Sequence, residues 1–206
     1  MPYRFVWCVV MFAIGFVVQP ALAQVEHKLV EARAIHELPP MRFEMLLSFV
    51  TGTLFTVCAF SAIRPTQILV RSLVCGLCYL ATILDLKYRI IPNEIILGLL
   101  ASGVISLLFG VQQISFGSAL GGFGVCFALF LLPFTIGRKV GGGDVKLAAA
   151  IGFCVGFHGA LTVTVIMGTM ILLYTLLAKG TFFEAIKSMI PMAPFVTVAF
   201  LVFILL

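Results

Sequence analysis

The chain has two aspartates, Asp85 and Asp144, and each lies at one end of a strongly apolar segment. A carboxylate in such a position is costly unless it has a partner or a task. Two carboxyl groups brought close together cannot both ionise easily, so one keeps a proton while the other acts as a base. Such a pair can activate a water against a carbonyl group, with the protonated partner polarising the carbonyl oxygen. These two residues are therefore the first candidates for chemistry.

A stripe of polar and small side chains leads up to Asp85. Its members are spaced 4, 3, 4 and 3 residues apart, which places them on one face of a helix: Arg71, Cys75, Cys78, Thr82 and Asp85. We expect this face to point into the protein or into a cavity, and not at lipid. Pro92 follows shortly after and predicts a tight turn between this helix and the next.

Three glycines, Gly141 to Gly143, precede Asp144. They allow backbone conformations that are closed to other residues and let another segment approach closely. Asp144 then opens a helix, whose dipole stabilises a negative charge. Small residues follow it at intervals of four, and we expect this face to press against a neighbouring helix, with the helix that carries Asp85 as the candidate: Ala148, Gly152 and Gly156.

Two other interpretations of the aspartates stay open on these residues alone. As simple structural groups, Asp144 would cap its own helix and Asp85 would pair with Lys87 or Arg89. As transport groups, the two carboxylates would bind a proton or a cation inside the membrane. The patterns around Asp85 and Asp144 are compatible with these roles as well as with hydrolysis.

The segments that must position these residues are those of a membrane protein. Of the 206 residues, 62% are hydrophobic and 10% charged, and the mean hydropathy is +1.22, whereas a soluble domain carries about 25% charged residues. Apolar runs of about 20 residues, enough for a helix to cross the bilayer, recur without strand-like alternation. We predict an all-α transmembrane bundle of about seven or eight segments: 5–23, 43–63, 68–86, 95–114, 116–137, 144–157, 159–178 and 191–206.

The segment 144–157 is too short to cross the membrane alone. Fourteen residues of helix reach about 21 Å, against a hydrocarbon layer of about 30 Å. The glycine-rich turn before it must therefore enter the membrane region, where it is either buried in protein or faces a wet cavity.

Lys and Arg residues lie mainly in short connections, where they report topology. Counting segments places three basic boundaries on one side, the cytoplasm: Lys87 and Arg89; Arg138, Lys139 and Lys146; and Lys179 and Lys187. Both aspartates then lie at the cytoplasmic membrane face. The net charge of +5 thus reflects membrane topology, and no nucleic-acid partner is expected.

The first apolar segment permits two interpretations. Residues 1–23 end in Ala21-Leu22-Ala23, the pattern of a cleaved signal peptide. The count of segments instead places the polar connection 24–42 in the cytoplasm, as expected for a first helix that is kept, and we favour the latter. Residues 24–67 comprise this connection and an extra membrane helix.

Neither a metal nor another cofactor is expected. All six cysteines lie within apolar segments, and the single C-x-x-C of Cys75 and Cys78 has no second pair, so packing roles are favoured over zinc or redox chemistry. His27, His36 and His158 are too scattered along the chain to form a ligand cluster.

The two motifs together resemble those of the prepilin peptidases, the G-x-G-D aspartic proteases of type IV pilus and type II secretion systems. The matching residues are Leu84-Asp85-Leu86-Lys87, Ile91-Pro92-Asn93 and Gly141-Gly142-Gly143-Asp144-Val145-Lys146. The resemblance covers about residues 68–206, which would form the catalytic domain. Ile190 to Phe195 is also similar to the Pro-rich start of the last helix of the family, although Pro in a first helical turn is common in general.

The resemblance implies that Asp85 and Asp144 are the catalytic pair, working without metal or cofactor. It implies cleavage of the short basic leader of a pilin or pilin-like precursor, just after a glycine, at the cytoplasmic face of the bacterial inner membrane. The precursor and the lipid bilayer are then the expected partners. Five further residues match motif positions and would support the pair or contact the substrate: Lys87, Asn93, Gly141, Gly143 and Lys146. Topological anchoring would account equally well for Lys87 and Lys146.

One departure concerns a second activity. Larger members of the family carry a cytoplasmic domain with two C-x-x-C pairs that is linked to N-methylation of the new amino terminus. The 24–42 connection is too short for such a domain and lacks cysteine, so methyltransferase activity is not expected. The chain resembles the short peptidases of Flp or tight-adherence pili. The presenilin and signal peptide peptidase group is a weaker match, because its first motif is Tyr-Asp and this chain has Leu84-Asp85.

Overall fold

The computed structural model describes residues 2–33, 44–135, 141–179 and 191–206. Within these ranges the chain forms seven helices and no strand, which confirms the prediction of an all-α protein. The helices are α1 (Pro2–Glu31), α2 (Glu44–Ser61), α3 (Pro65–Tyr88), α4 (Asn93–Leu108), α5 (Phe116–Thr135), α6 (Gly142–Lys179) and α7 (Ala193–Leu205). The sequence predictions on His36, Arg138, Lys139, Lys187 and Ile190 lie outside the described residues.

Four of these helices are long and apolar enough to cross a membrane: Val6–Glu31, Pro65–Tyr88, Phe116–Pro133 and Gly142–Tyr174. Three shorter apolar helices accompany them: Leu47–Ser61, Asn93–Leu108 and Ala193–Leu205. In the most apolar stretches of α3 and α6, 67% and 61% of the residues are buried within the protein. The corresponding shares are 17% for α1 and 22% for α5. The two aspartates thus lie on the two most enclosed of the long helices.

Helix α6 joins two segments that the sequence separates. The short segment 144–157 and the following segment 159–178 form one continuous stretch that bends at Gly156, whose φ of 74° and ψ of 179° are not helical. A side chain at this φ would be strained. A Cβ atom here would also lie 2.8 Å from Ser118 Oγ. The break expected near residue 158 is therefore present as a kink at a glycine.

The small-residue face of α6 packs against α5. A Cβ atom added at Gly152 would lie 2.9 Å from Cys126 Sγ and would overlap the carbonyl oxygen of Gly122. The expectation that this face contacts the helix carrying Asp85 is therefore wrong. Gly122 of α5 and Gly152 of α6 stand opposite each other, which allows these two backbones to approach closely.

Helix α1 extends further than the apolar run predicted. It continues through Ala21-Leu22-Ala23 and ends at Glu31, inside the stretch that the sequence assigned to a polar connection. It packs on α2, where a Cβ atom at Gly15 would lie 2.7 Å from the carbonyl oxygen of Thr51. Since Glu26 and Val30 are both buried, the polar end of α1 is part of the packed bundle.

Candidate functional site

The polar stripe of α3 faces the protein interior, as its spacing predicts. Cys75 and Cys78 are at most 1% exposed. Arg71 donates two hydrogen bonds of 2.9 Å to the backbone and side chain of Ser61 on α2. Further along the stripe, Thr82 and Thr197 of α7 share a hydrogen bond of 2.8 Å. The stripe therefore fixes α3 against α2 at one end and against α7 nearer to Asp85.

Asp85 is 6% exposed and is held by the start of α7. Its Oδ2 accepts a hydrogen bond of 3.1 Å from the backbone N–H of Ala193. Ala193 is the first residue of α7, so the positive end of that helix dipole lies at the carboxylate. Lys87, which a structural interpretation pairs with Asp85, bonds to Glu26 instead.

Asp144 lies in the first turn of α6 and is half-buried. Its carboxylate folds back over the glycine turn: a Cβ atom at Gly141 would lie only 2.6 Å from Asp144 Oδ2. Gly143 packs against the turn between α3 and α4. A Cβ atom added at Gly143 would lie 3.0 Å from Ile91 Cβ in that turn. The absence of side chains at Gly141 and Gly143 thus gives room to the carboxylate on one side and to the neighbouring turn on the other.

The two motifs meet at one end of the bundle. The glycine turn before Asp144 contacts the turn that follows Asp85, because Gly143 packs on Ile91. A second link joins the motifs, because Lys146 Nζ donates a hydrogen bond of 3.2 Å to Asn93 Oδ1. Two carboxyl groups with unequal surroundings in such a position can divide the roles of acid and base.

Two ion pairs at this end involve Glu26, Arg33 and Glu94, which belong to neither aspartate motif. Lys87 Nζ lies 2.7 Å from Glu26 Oε1 of α1, and the two side chains are only 14% and 11% exposed. Arg33, just beyond the end of α1, forms an ion pair with Glu94 in the first turn of α4. Arg33 lies beyond the last residue of α1, and neither Glu26 nor Arg33 belongs to a motif, so no local spacing pattern predicted these contacts.

A lateral groove of about 300 Å³ starts at the bond between Lys146 and Asn93 and runs between α4, α5 and α6. Apart from these two polar residues its lining is apolar: Ile96, Leu97, Leu100, Phe123, Phe127 and Ala149. The site thus combines a pair of carboxyl groups with an adjoining surface that suits an apolar segment.

No set of three His, Cys, Asp or Glu side chains in the described part of the chain is grouped so that it could hold a metal ion. The cysteines are free thiols, and Cys58 donates a hydrogen bond to Cys75 with 3.2 Å between the sulfur atoms. Cys75 and Cys78 are thus packed against other helices inside the bundle.

A protein-family model matches more than half of this chain. The model of the type IV leader peptidase family matches residues 72–178. This range contains Asp85, Asp144 and the five further residues that the motifs select, whereas Glu26 and Ala193 lie outside it. No curated protein and no solved structure matches the chain.

Proposed function

This chain belongs to the type IV leader peptidase family, and on that premise we propose that it removes the leader of a pilin or pilin-like precursor with Asp85 and Asp144 as the catalytic pair. The observation that supports the proposal is that the segments beside the two aspartates meet at one end of the bundle, where Gly143 packs on Ile91 and Lys146 bonds to Asn93. The chain is thus a membrane peptidase whose chemistry we assign to two aspartates.

In the proposed reaction, one carboxylate takes a proton from a water molecule while the water oxygen attacks the carbonyl carbon of the scissile peptide bond. The other carboxyl group gives its proton to the carbonyl oxygen, which yields a tetrahedral diol. The base then gives the proton taken from water to the peptide nitrogen and the C–N bond breaks. One diol hydroxyl returns its proton to the other carboxylate, and the leader leaves with a new carboxyl terminus.

We assign the role of the base to Asp85 and that of the proton donor to Asp144. Both carboxylates lie at a helix N-terminus, Asp85 at the start of α7 and Asp144 in the first turn of α6, but Asp85 also accepts a backbone N–H from Ala193, which favours its charged form. The negative charge on Asp85 in turn favours a proton on its neighbour. In this proposal the pair starts the reaction with one proton between the two carboxyl groups.

The remaining motif residues have supporting roles in this proposal. The bond from Lys146 to Asn93 ties the start of α6 to the start of α4 and so keeps the two aspartates in register. Gly143 allows α6 to approach the turn at Ile91. The lateral groove accepts the apolar part of the precursor next to the cleavage site, which places the basic leader beyond the membrane edge.

We further propose that the site faces the cytoplasm, in the inner membrane of a bacterium. Lys87, Arg89 and Lys146 lie in the same elements as the aspartates or directly beside them, and such basic residues stay on the cytoplasmic side. The segment between α1 and α2, residues 32–43, is short and has no cysteine, which supports a short peptidase of the Flp or tight-adherence type without methyltransferase activity.

The test is co-expression with candidate pilin-like precursors, with the mass of the processed product as the measurement. Wild-type protein is expected to remove the leader, and Asp85→Asn or Asp144→Asn to be inserted in the membrane but inactive. Glu31→Gln, which makes the same carboxyl-to-amide exchange at an exposed position of α1, is the matched control. Normal processing by either Asp variant would refute the catalytic pair, and ion flux that depends on both aspartates without any cleavage would favour transport.

A further inference from the structure

A buried ion pair joins α1 to the first catalytic motif. Glu26 Oε1 and Lys87 Nζ are 2.7 Å apart, and their side chains are 11% and 14% exposed. Lys87 follows Asp85 by two residues in the last turn of α3. Removing one charge from such a pair leaves the other without its partner in a poorly hydrated place, so the geometry of the pair is strongly enforced.

A second contact attaches the same end of α1 to the other side of the turn between α3 and α4. Arg33 pairs with Glu94, and its guanidinium also donates a hydrogen bond of 3.0 Å to the carbonyl oxygen of Leu29. The Glu94 side chain is 58% exposed, so this pair is weaker than the buried one. Together the two ion pairs bracket the turn that contains Ile91.

That turn is the surface against which Asp144 is placed. Gly143, the residue before Asp144, packs on Ile91. A Cβ atom added at Gly143 would lie only 3.0 Å from Ile91 Cβ. A shift of the turn would therefore move both aspartates relative to each other, one through the end of α3 and the other through the glycine contact. Displacement of reacting groups by about 1 Å can lower a rate about 100-fold.

We propose that Glu26 is a positioning residue for the catalytic pair. It fixes Lys87 and thereby the end of α3 that carries Asp85, and the pairing of Arg33 with Glu94 holds the far side of the same turn. This inference rests on the proposed function, and it extends the working enzyme to α1, a helix that lies outside residues 72–178 matched by the family.

The experiment compares two carboxyl-to-amide exchanges on one helix, using the purified full-length chain and a precursor that the wild type cleaves. Glu26→Gln is expected to lower kcat about 10- to 100-fold while KM changes less than about twofold, because positioning acts on the chemical step. Glu31→Gln is the control. Its carboxylate lies 3.8 Å from His27 Nδ1 in a pair whose side chains are 60% and 71% exposed, and we expect wild-type kinetics.

Charge reversal separates positioning from a general loss of folding. The double variant Glu26→Lys with Lys87→Glu restores the pair in the opposite sense and is expected to recover most of the kcat that each single variant loses. Thermal denaturation of every variant is measured in parallel. A fall in kcat that follows the fraction of folded protein, or kcat of Glu26→Gln within about twofold of the wild type, would overturn the inference.

If Glu26→Gln does not accumulate as folded protein, Glu26→Asp decides the question. It keeps the charge but is one methylene shorter, so the 2.7 Å contact can be kept only if the Lys87 side chain changes conformation or α1 and α3 shift. A kcat that falls at least about threefold at unchanged KM supports the inference, and an unchanged kcat overturns it. Inactive Asp85→Asn together with fully active Glu26 variants would overturn this inference alone, whereas full activity of Asp85→Asn would overturn the proposed function.

Discussion

The carboxylate of Asp85 accepts a hydrogen bond from the backbone N–H of Ala193, 108 residues further along the chain, with 3.1 Å between Oδ2 and N. Backbone N–H groups in the first turn of a helix have no partner within that helix. Asp85 satisfies one such group at the start of α7, where the flanking residues Pro191 and Pro194 have no N–H to offer. The last helix thus takes part in the site, although it lies beyond the range that the family matches.

Because of this hydrogen bond, two substitutions of Asp85 can distinguish its structural role from its role in catalysis. In Asp85→Asn the amide oxygen can still accept the Ala193 N–H, so we expect a folded protein that does not cleave its precursor. Asp85→Leu has a similar size but no acceptor, and an unsatisfied buried N–H costs about 1–3 kcal/mol. The Tm of the purified Leu variant should therefore lie below that of the Asn variant. Equal Tm values would mean that the bond to Ala193 contributes nothing to the fold.

The glycine turn before Asp144 offers a test of the catalytic geometry itself. A Cβ atom at Gly141 would lie 2.6 Å from Asp144 Oδ2, so Gly141→Ala must rotate the carboxylate. The fold should tolerate this, because the end of a flexible side chain can move, but we expect the cleavage rate to fall about 10-fold or more. Gly142→Ala is the matched control, because a Cβ there meets no heavy atom within 4 Å. Similar rates for the two variants would contradict the assigned position of Asp144.

Local sequence patterns were sufficient for some parts of the site and insufficient for others. The spacing from Arg71 to Asp85 identified the buried face of α3, because a helix brings residues three and four apart to one side. The same logic found the small-residue face of α6 but not its partner. Any helix with small residues on its surface could pack against that face. That α5 is the partner follows only from the positions of its glycines opposite those of α6 in the folded protein. The contacts of Glu26 and Ala193 depend on how distant helices cross, which no local pattern specifies.

Lys146 and Asn93 are predicted to support cleavage jointly, through the hydrogen bond between them. Each side chain lies at the exposed end of its helix, and the hydrogen bond between them measures 3.2 Å. A hydrogen bond of this kind contributes about 0.5–1.5 kcal/mol. We therefore expect Asn93→Ala and Lys146→Met each to reduce kcat/KM about 3- to 10-fold. The double variant should be no worse than the more affected single one, since both remove the same interaction. Losses that simply multiply in the double variant would show that the two residues act independently, for example on the substrate.

The kink in α6 depends on a backbone conformation of Gly156 that other residues rarely adopt. We therefore expect the stability of the bundle to be sensitive to substitution at this position. Gly156→Ala must accommodate a side chain at a φ of 74° and a Cβ 2.8 Å from Ser118 Oγ, and we expect it to destabilise the protein by at least about 1 kcal/mol. Gly168→Ala provides the comparison on the same helix, where a Cβ meets no heavy atom within 4 Å. There the exchange should be neutral or stabilising by up to about 1 kcal/mol, because alanine favours the helical state over glycine. Thermal denaturation of the two purified variants measures the difference, and a Gly156→Ala protein as stable as Gly168→Ala would show that α6 can straighten at this position without loss.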